Sequence, residues 1–120
     1  MCIRDSRYDV ALEGLPLQLP TVLAGNRSAF HLYVVRLKPG IAKKTHRLVF
    51  DELRRRGVGV NLHYTPVHLQ PYYRGLGFLP GQYPEAERYG CEAITLPLYP
   101  NLTDAMQDEV VAALQQTLEC

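Results

Sequence analysis

Along this chain the spacing of apolar and polar positions changes several times, and each change marks an element. Phe30 to Leu37 (Phe-His-Leu-Tyr-Val-Val-Arg-Leu) is rich in β-branched and aromatic residues, which suit a pleated surface, and it predicts a strand closed by Pro39-Gly40. Lys44 to Arg56 moves to helical spacing, with Leu48, Val49 and Leu53 inward, charges outward and Gly57 as the stop. Val58 to His63 returns to alternation. Val58, Val60 and Leu62 share one face of a second predicted strand, which aims Gly59, Asn61 and His63 to the other. Ala93 to Leu96 predicts a short third strand, stopped by Pro97.

Helices and connectors fill the intervals. Tyr8 to Leu12 reads as the last turns of a helix ending at Gly14, and Leu15 to Gly25, with Pro16 and Pro20, as an extended connector. Leu69 to Tyr73 predicts a short helical turn and Gly75 to Gln82 a loop. Pro84 suits a first helical position, with Glu85 and Glu87 complementing the dipole of a helix that runs to about Cys91. Thr103 predicts the N-cap of a final helix carrying Met106, Val110, Leu114 and Leu118 along one side. The sum is a small α+β sandwich: about three strands with helices packed on one face, the other face being left for a partner domain.

Composition narrows the function classes. At 120 residues, 47% hydrophobic and 21% charged, the chain suits one soluble globular domain. A net charge of +1 gives no footprint for nucleic acid. The run Arg54-Arg55-Arg56 has a structural explanation at a helix C-terminus, where cations meet the dipole. Three cysteines (Cys2, Cys91 and Cys120) are an odd number without metal spacing, so a reducing cytoplasm is expected rather than a disulfide framework. No apolar run reaches membrane-spanning length. Met1 to Ser6 bears no relation to the rest of the chain and is set aside as a non-native leader. On that reading the chain is the tail of a longer protein, with 7–25 the end of a helix begun upstream and its connector, and 26–120 a small domain.

The densest chemistry lies in Gly57 to Tyr73, where a strand pattern runs into His63, Tyr64, His68, Gln70, Tyr72 and Tyr73 between stiff prolines. His63 and His68 match no helical metal-ligand spacing, and no acid or cysteine lies close in sequence to complete a metal site. No nucleophile elbow accompanies them, so a self-contained hydrolase is not indicated. The plain alternative is that His63 and Tyr64 satisfy buried hydrogen bonds. Tyr72 and Tyr73 read first as packing aromatics. Gly75, Gly77 and Gly81 form no phosphate cradle. Lys38, at a turn, and Lys43 and Lys44, opening a surface helix, lack the apolar pocket that suits a Schiff-base lysine.

Four segments in order carry a resemblance: Ser28 to Arg36, Leu53 to Tyr73, Tyr83 to Tyr89 (Tyr-Pro-Glu-Ala-Glu-Arg-Tyr) and Ile94 to Thr103 (Ile-Thr-Leu-Pro-Leu-Tyr-Pro-Asn-Leu-Thr). Together they resemble the C-terminal domain of the DegT/StrS sugar aminotransferases, over nearly all of Tyr8 to Leu118. The His-Tyr-x-Pro-x-His-Leu-Gln-Pro-Tyr-Tyr form looks closest to the transaminases that make UDP-4-amino-4,6-dideoxy-N-acetyl-β-L-altrosamine, a pseudaminic acid-type intermediate. The resemblance implies the small domain of a fold-type I, pyridoxal 5'-phosphate-dependent homodimer that moves an amino group from glutamate to a 4-keto (or 3-keto) nucleotide sugar. It also implies that the Schiff-base lysine and cofactor contacts belong to a large N-terminal domain absent here, so these residues alone are not expected to catalyse. On this reading His63 and Tyr64 hydrogen-bond the substrate's sugar or phosphate oxygens, with Asn61, His68 and Gln70 as further substrate contacts, Pro66 fixing the loop, and His31 and Tyr33 structural. A freestanding nucleotide-sugar-binding module, or a dimerisation domain without catalysis, is the alternative.

Overall fold

The computed structural model describes residues 3–40 and 44–119; Cys2, Lys43 and Cys120 lie outside the described residues. The order is α1 (Ile3–Ala11), β1 (Leu17–Gln18), β2 (Tyr33–Leu37), α2 (His46–Arg55), a 3-10 turn (Val67–Leu69), α3 (Pro71–Gly75), α4 (Pro84–Glu92), β3 (Ala93–Leu96) and α5 (Asp104–Glu119). The strands form one antiparallel sheet in the order β1-β2-β3, with Leu17 opposite Leu37, Tyr33 opposite Leu96 and Val35 opposite Ile94. This is the expected α+β fold with three strands.

Directly paired residues of an antiparallel ladder point to the same side. One face therefore carries Leu17, Leu37, Tyr33, Val35, Ile94 and Leu96, all buried. Tyr8 of α1, Leu12 just after it, Val49 and Leu53 of α2 and Val110, Leu114 and Leu118 of α5 share its core. Each of the larger apolar side chains contributes about 1.5–3 kcal/mol on burial. Residues 3–6 of the segment set aside as a leader form the first turn of α1, and Arg4 Nε donates to the Leu102 carbonyl at 3.0 Å.

Several elements depart from the sequence reading for identifiable reasons. β2 begins at Tyr33 rather than Phe30, because Phe30 sits at φ +43°, off the extended region. β1 fills the sheet's third place from within the segment read as connector; two residues between Pro16 and Pro20 are too few to show alternation. Residues 58–63 are not a strand. Val60 N–H donates to the Val58 carbonyl at 2.9 Å, a tight local bond that takes the backbone out of ladder geometry, and only the bridge between Asn61 and Thr95 remains. The predicted alternation fails with it: Val58 and Val60 are buried, but Leu62 is 42% exposed.

The helices start and stop as their caps dictate. Thr45 caps α2, its hydroxyl accepting from Leu48 N–H, so Leu48 falls on the exposed side while Val49 and Leu53 are buried. Gly57 at φ +83° ends α2, with Gly57 N–H on the Arg54 carbonyl and Val58 N–H on that of Leu53. Within the arginine run at the end of α2, Arg54 donates to the Val60 carbonyl and Arg56 to Glu52 and Gln116. The single helical turn expected at 69–73 is two pieces, because Pro71 starts α3 afresh at its first position. Thr103 Oγ1 accepts from Met106 N–H at the start of α5, but Met106 is largely exposed, and Gln107 takes the inward place expected for it.

Candidate functional site

The second face of the sheet carries Val34, Arg36, Ala93 and Thr95, and side chains of α4 close over part of it. Arg36 Nε and Nη2 donate to Glu92 Oε2 at 3.0 and 2.6 Å, and the guanidinium lies 5.5 Å from the centre of the Tyr89 ring. His46 Nε2 donates to the Ala93 carbonyl at 2.9 Å. The bare face expected for a partner domain is thus partly filled from α2 and α4.

Residues 61–66 bring the polar motif to the edge of this face. Asn61 exchanges backbone hydrogen bonds with Thr95 (3.1 and 2.8 Å), which fixes the chain two residues before His63. His63 Nδ1 then meets Thr95 Oγ1 at 2.8 Å, leaving Nε2 without a protein partner among the described residues. The His63–Tyr64 peptide is cis, the two rings meet edge to face at 4.6 Å, and Tyr64 is 72% exposed. Pro66 rests against α4 at Gly90, where a Cβ would stand only 2.9 Å from Pro66 Cδ. Between loop and helix opens a cleft of about 290 Å³, walled by His63, Tyr64 and Pro66 on one side and Glu87, Gly90 and Cys91 on the other.

Of the five expected contact residues, His63 and Tyr64 line this cleft. Asn61 is exposed and acts through its backbone. Gln70 is exposed at the N-cap of α3, where its side chain makes no capping bond. His68 is only 7% exposed, and its Nε2 donates to Glu87 Oε1 at 2.8 Å. Glu87 Oε1 also accepts from Gly81 N–H at 2.7 Å. The His68 bond first, and that of Gly81 next, hold the Glu87 carboxyl below the usual glutamate range. Tyr33 is buried and structural, as expected, whereas His31 is exposed. Tyr72 and Tyr73 form an exposed edge-to-face pair at 5.3 Å.

Sequence reasoning missed Thr95, Glu87 and Gly90. Thr95 was visible only as the polar member of Ala-Ile-Thr-Leu, and Glu87 only as a helix-dipole acid. Gly90 inside a helix was the usable signal, since glycine there is unfavourable unless another group comes close.

Chemically, this arrangement can donate to and accept from hydroxyl, carbonyl or phosphate oxygens. The Thr95–His63 pair is no accessible nucleophile, because Thr95 is buried within the sheet. Among the described residues, no group of three or more His, Cys, Asp and Glu could hold a metal ion. No helix is long and apolar enough to cross a membrane among them. Cys91 is a free, exposed thiol.

A sequence model of the DegT/DnrJ/EryC1/StrS aminotransferase family matches residues 4–115. The spore coat polysaccharide biosynthesis protein SpsC of Bacillus subtilis is 32% identical over 116 residues, covering 94% of this chain and 30% of that protein. Among solved structures, the putative sugar aminotransferase Spr1654 of Streptococcus pneumoniae superposes with a TM-score of 0.87 at 29% identity, over 97% of this chain and 29% of that one. Spr1654 has been solved in apo, PLP and PMP forms. PseC of Helicobacter pylori, an aminotransferase involved in the biosynthesis of pseudoaminic acid, gives 0.84 at 23% identity over 97% of this chain and 31% of that one, a likeness that bears on the fold alone. The chain thus spans about 30% of the length of the relatives it matches.

Proposed function

The chain belongs to the DegT/DnrJ/EryC1/StrS aminotransferase family, and from that premise we propose that it is the small domain of a pyridoxal phosphate-dependent sugar aminotransferase, supplying one wall of the substrate site. The observation that carries this reading is the placement of His63 and Tyr64, inside the matched span, side by side on an open cleft. His63 is anchored through Nδ1 on Thr95, which sets its ring and leaves Nε2 for a sugar hydroxyl or phosphate oxygen. Tyr64 offers an exposed phenol beside it. Both roles are binding and orientation.

The described residues do not fit covalent attachment of pyridoxal phosphate. Lys38 is exposed at a turn, and Lys44 donates to Glu52 Oε2 at 2.6 Å; neither lines the cleft. The cofactor, which stabilises negative charge at the amino-bearing carbon, would be carried by another part of the full enzyme. The amino donor is glutamate, and the acceptor a 4-keto nucleotide sugar, UDP-linked and of the pseudaminic acid type. The motif from His63 to Tyr73 supports that choice of sugar. The enzyme works in the cytoplasm as a homodimer. The exposure of Val67, Tyr72, Leu76 and Leu79 on one short stretch of chain supports its burial in an assembly.

The test is to sequence the source DNA upstream of codon 1, express the longer frame, and assay amino transfer from glutamate to UDP-4-keto sugars. Loss of kcat/KM in His63→Ala and Tyr64→Phe is expected. Wild-type values in both would remove these residues from the site, and a stop codon just before Met1 would end the enzyme reading for this chain.

A further inference from the structure

The loop that carries His63 and Tyr64 is tied to α4, the opposite side of the cleft, at two points one turn apart. At the first, Glu87 Oε1 accepts from His68 Nε2 (2.8 Å) and from Gly81 N–H (2.7 Å). A carboxylate only accepts, so Nε2 carries the ring's proton. At the second, three residues on, Gly90 lets Pro66 lie against the helix, with the Tyr64 carbonyl 3.8 Å from where a Cβ would stand. Positions i and i+3 share a helix face, so both grips act on the same side of α4. One carboxylate oxygen therefore joins the turn after Pro66, the loop before Pro84 and α4 itself. The His68 ring, packed 4.8 Å from that of Tyr83, is fixed within this junction and makes no part of the cleft lining.

We propose that Glu87 is a positioning residue for the substrate-facing wall: it sets the place of His63 and Tyr64 through His68. The proposal rests on the reading that this wall meets a nucleotide sugar, and it adds that the wall's geometry is controlled from α4. Between Tyr64 and His68 the chain has little freedom of its own, because Pro66 stiffens it and the His68 ring is pinned. Releasing His68 frees the far end of that short span, and the Tyr64 end moves with it.

The experiment is NMR on the 120-residue chain with Glu87→Ala, Glu87→Gln and His68→Phe. In Glu87→Ala the Gly81 amide should exchange about tenfold faster, the cost of one lost hydrogen bond. The ring resonances of His63 and Tyr64 should shift, while Val35 and Leu114 amides keep their protection. Glu87→Gln should restore both signals, since its carboxamide oxygen accepts the same two bonds. His68→Phe keeps an aromatic ring, slightly larger, and removes the donor to Glu87, so it should shift Tyr64 while Gly81 stays protected; it also decides the matter if the alanine variant fails to fold. Unmoved His63 and Tyr64 rings in Glu87→Ala or His68→Phe overturn the proposal. None of these signals depends on turnover, so an inactive longer enzyme would defeat the substrate reading and leave the positioning result standing.

Discussion

Gly90 and Pro66 are packed so closely that a Cβ added to Gly90 would lie 2.9 Å from Pro66 Cδ and 3.2 Å from Pro66 Cγ. A proline ring cannot swing aside as the end of a long side chain can. Two effects of opposite sign compete in Gly90→Ala. Replacing a mid-helix glycine stabilises by about 1 kcal/mol, and forcing a methyl group into a filled contact costs about 1–3 kcal/mol. The contact should win, lowering stability by about 1 kcal/mol by urea unfolding. A raised midpoint would mean that the loop yields, and that Gly90 is not what seats it.

Thr95 is the internal partner of the cleft histidine, buried in β3 with its hydroxyl 2.8 Å from His63 Nδ1. Thr95→Val keeps the shape and the strand preference and removes only that bond. It should cost about 1 kcal/mol and leave the His63 ring free to reorient, with the ring's NMR signals broadened or displaced. Thr95→Ser should retain the signals of the parent. Identical His63 resonances in the valine variant would show that the ring is held by something else.

How much of the fold and site was legible in the sequence depends on how local each signal is. β3 falls where expected because Pro97 ends it and its residues read as a strand unaided. α4 and α5 start at Pro84 and after Thr103, whose capping roles are local too. The failures come where tertiary contacts decide. β1 exists because β2 offers it a ladder, and two residues cannot announce that. Residues 58–63 alternate as a strand does, but the short bond from Val60 to Val58 breaks the ladder. The same limit governs the site. His63 and Tyr64 stood out as polar groups between prolines, while the partners that orient them, Thr95 and Glu87, lie 32 residues after the first and 19 residues after His68.

Glu87 also predicts an acid response. Its carboxyl is held below the usual range by His68 and then Gly81, so the folded chain favours the ionised form more than the unfolded chain does. Its contribution is complete above the ordinary glutamate value of about 4.3, and it is lost as pH falls through the lower folded value. Urea midpoints measured from about pH 5 down to about pH 3 should fall less steeply in Glu87→Gln than in the parent. Glu52, depressed by Lys44 and Arg56, keeps some slope in both proteins. Parallel slopes would mean that Glu87 is unbonded in solution.

At the alkaline end the controlling groups are Tyr8 and Tyr33, whose rings meet 5.0 Å apart in the core. Burial raises both; Tyr8 is pushed up to about 12, and Tyr33, which also donates to Asp9 Oδ1 at 2.6 Å, rises further. A phenol with a raised folded value holds its proton more tightly in the fold. Its stabilisation is full below the ordinary value near 10 and is lost as pH rises through the folded one. Tyr8 and Tyr33 should stay protonated at about pH 11, above the ordinary phenol value near 10, and should ionise only as the chain unfolds. Phenolate absorbance followed together with circular dichroism reads this directly. Tyr33→Phe, which removes the donor to Asp9, should reduce the titration step that accompanies unfolding from two tyrosines to one. Ionisation of both phenols before any loss of structure would place them in contact with solvent and contradict the packing of α1 on the sheet.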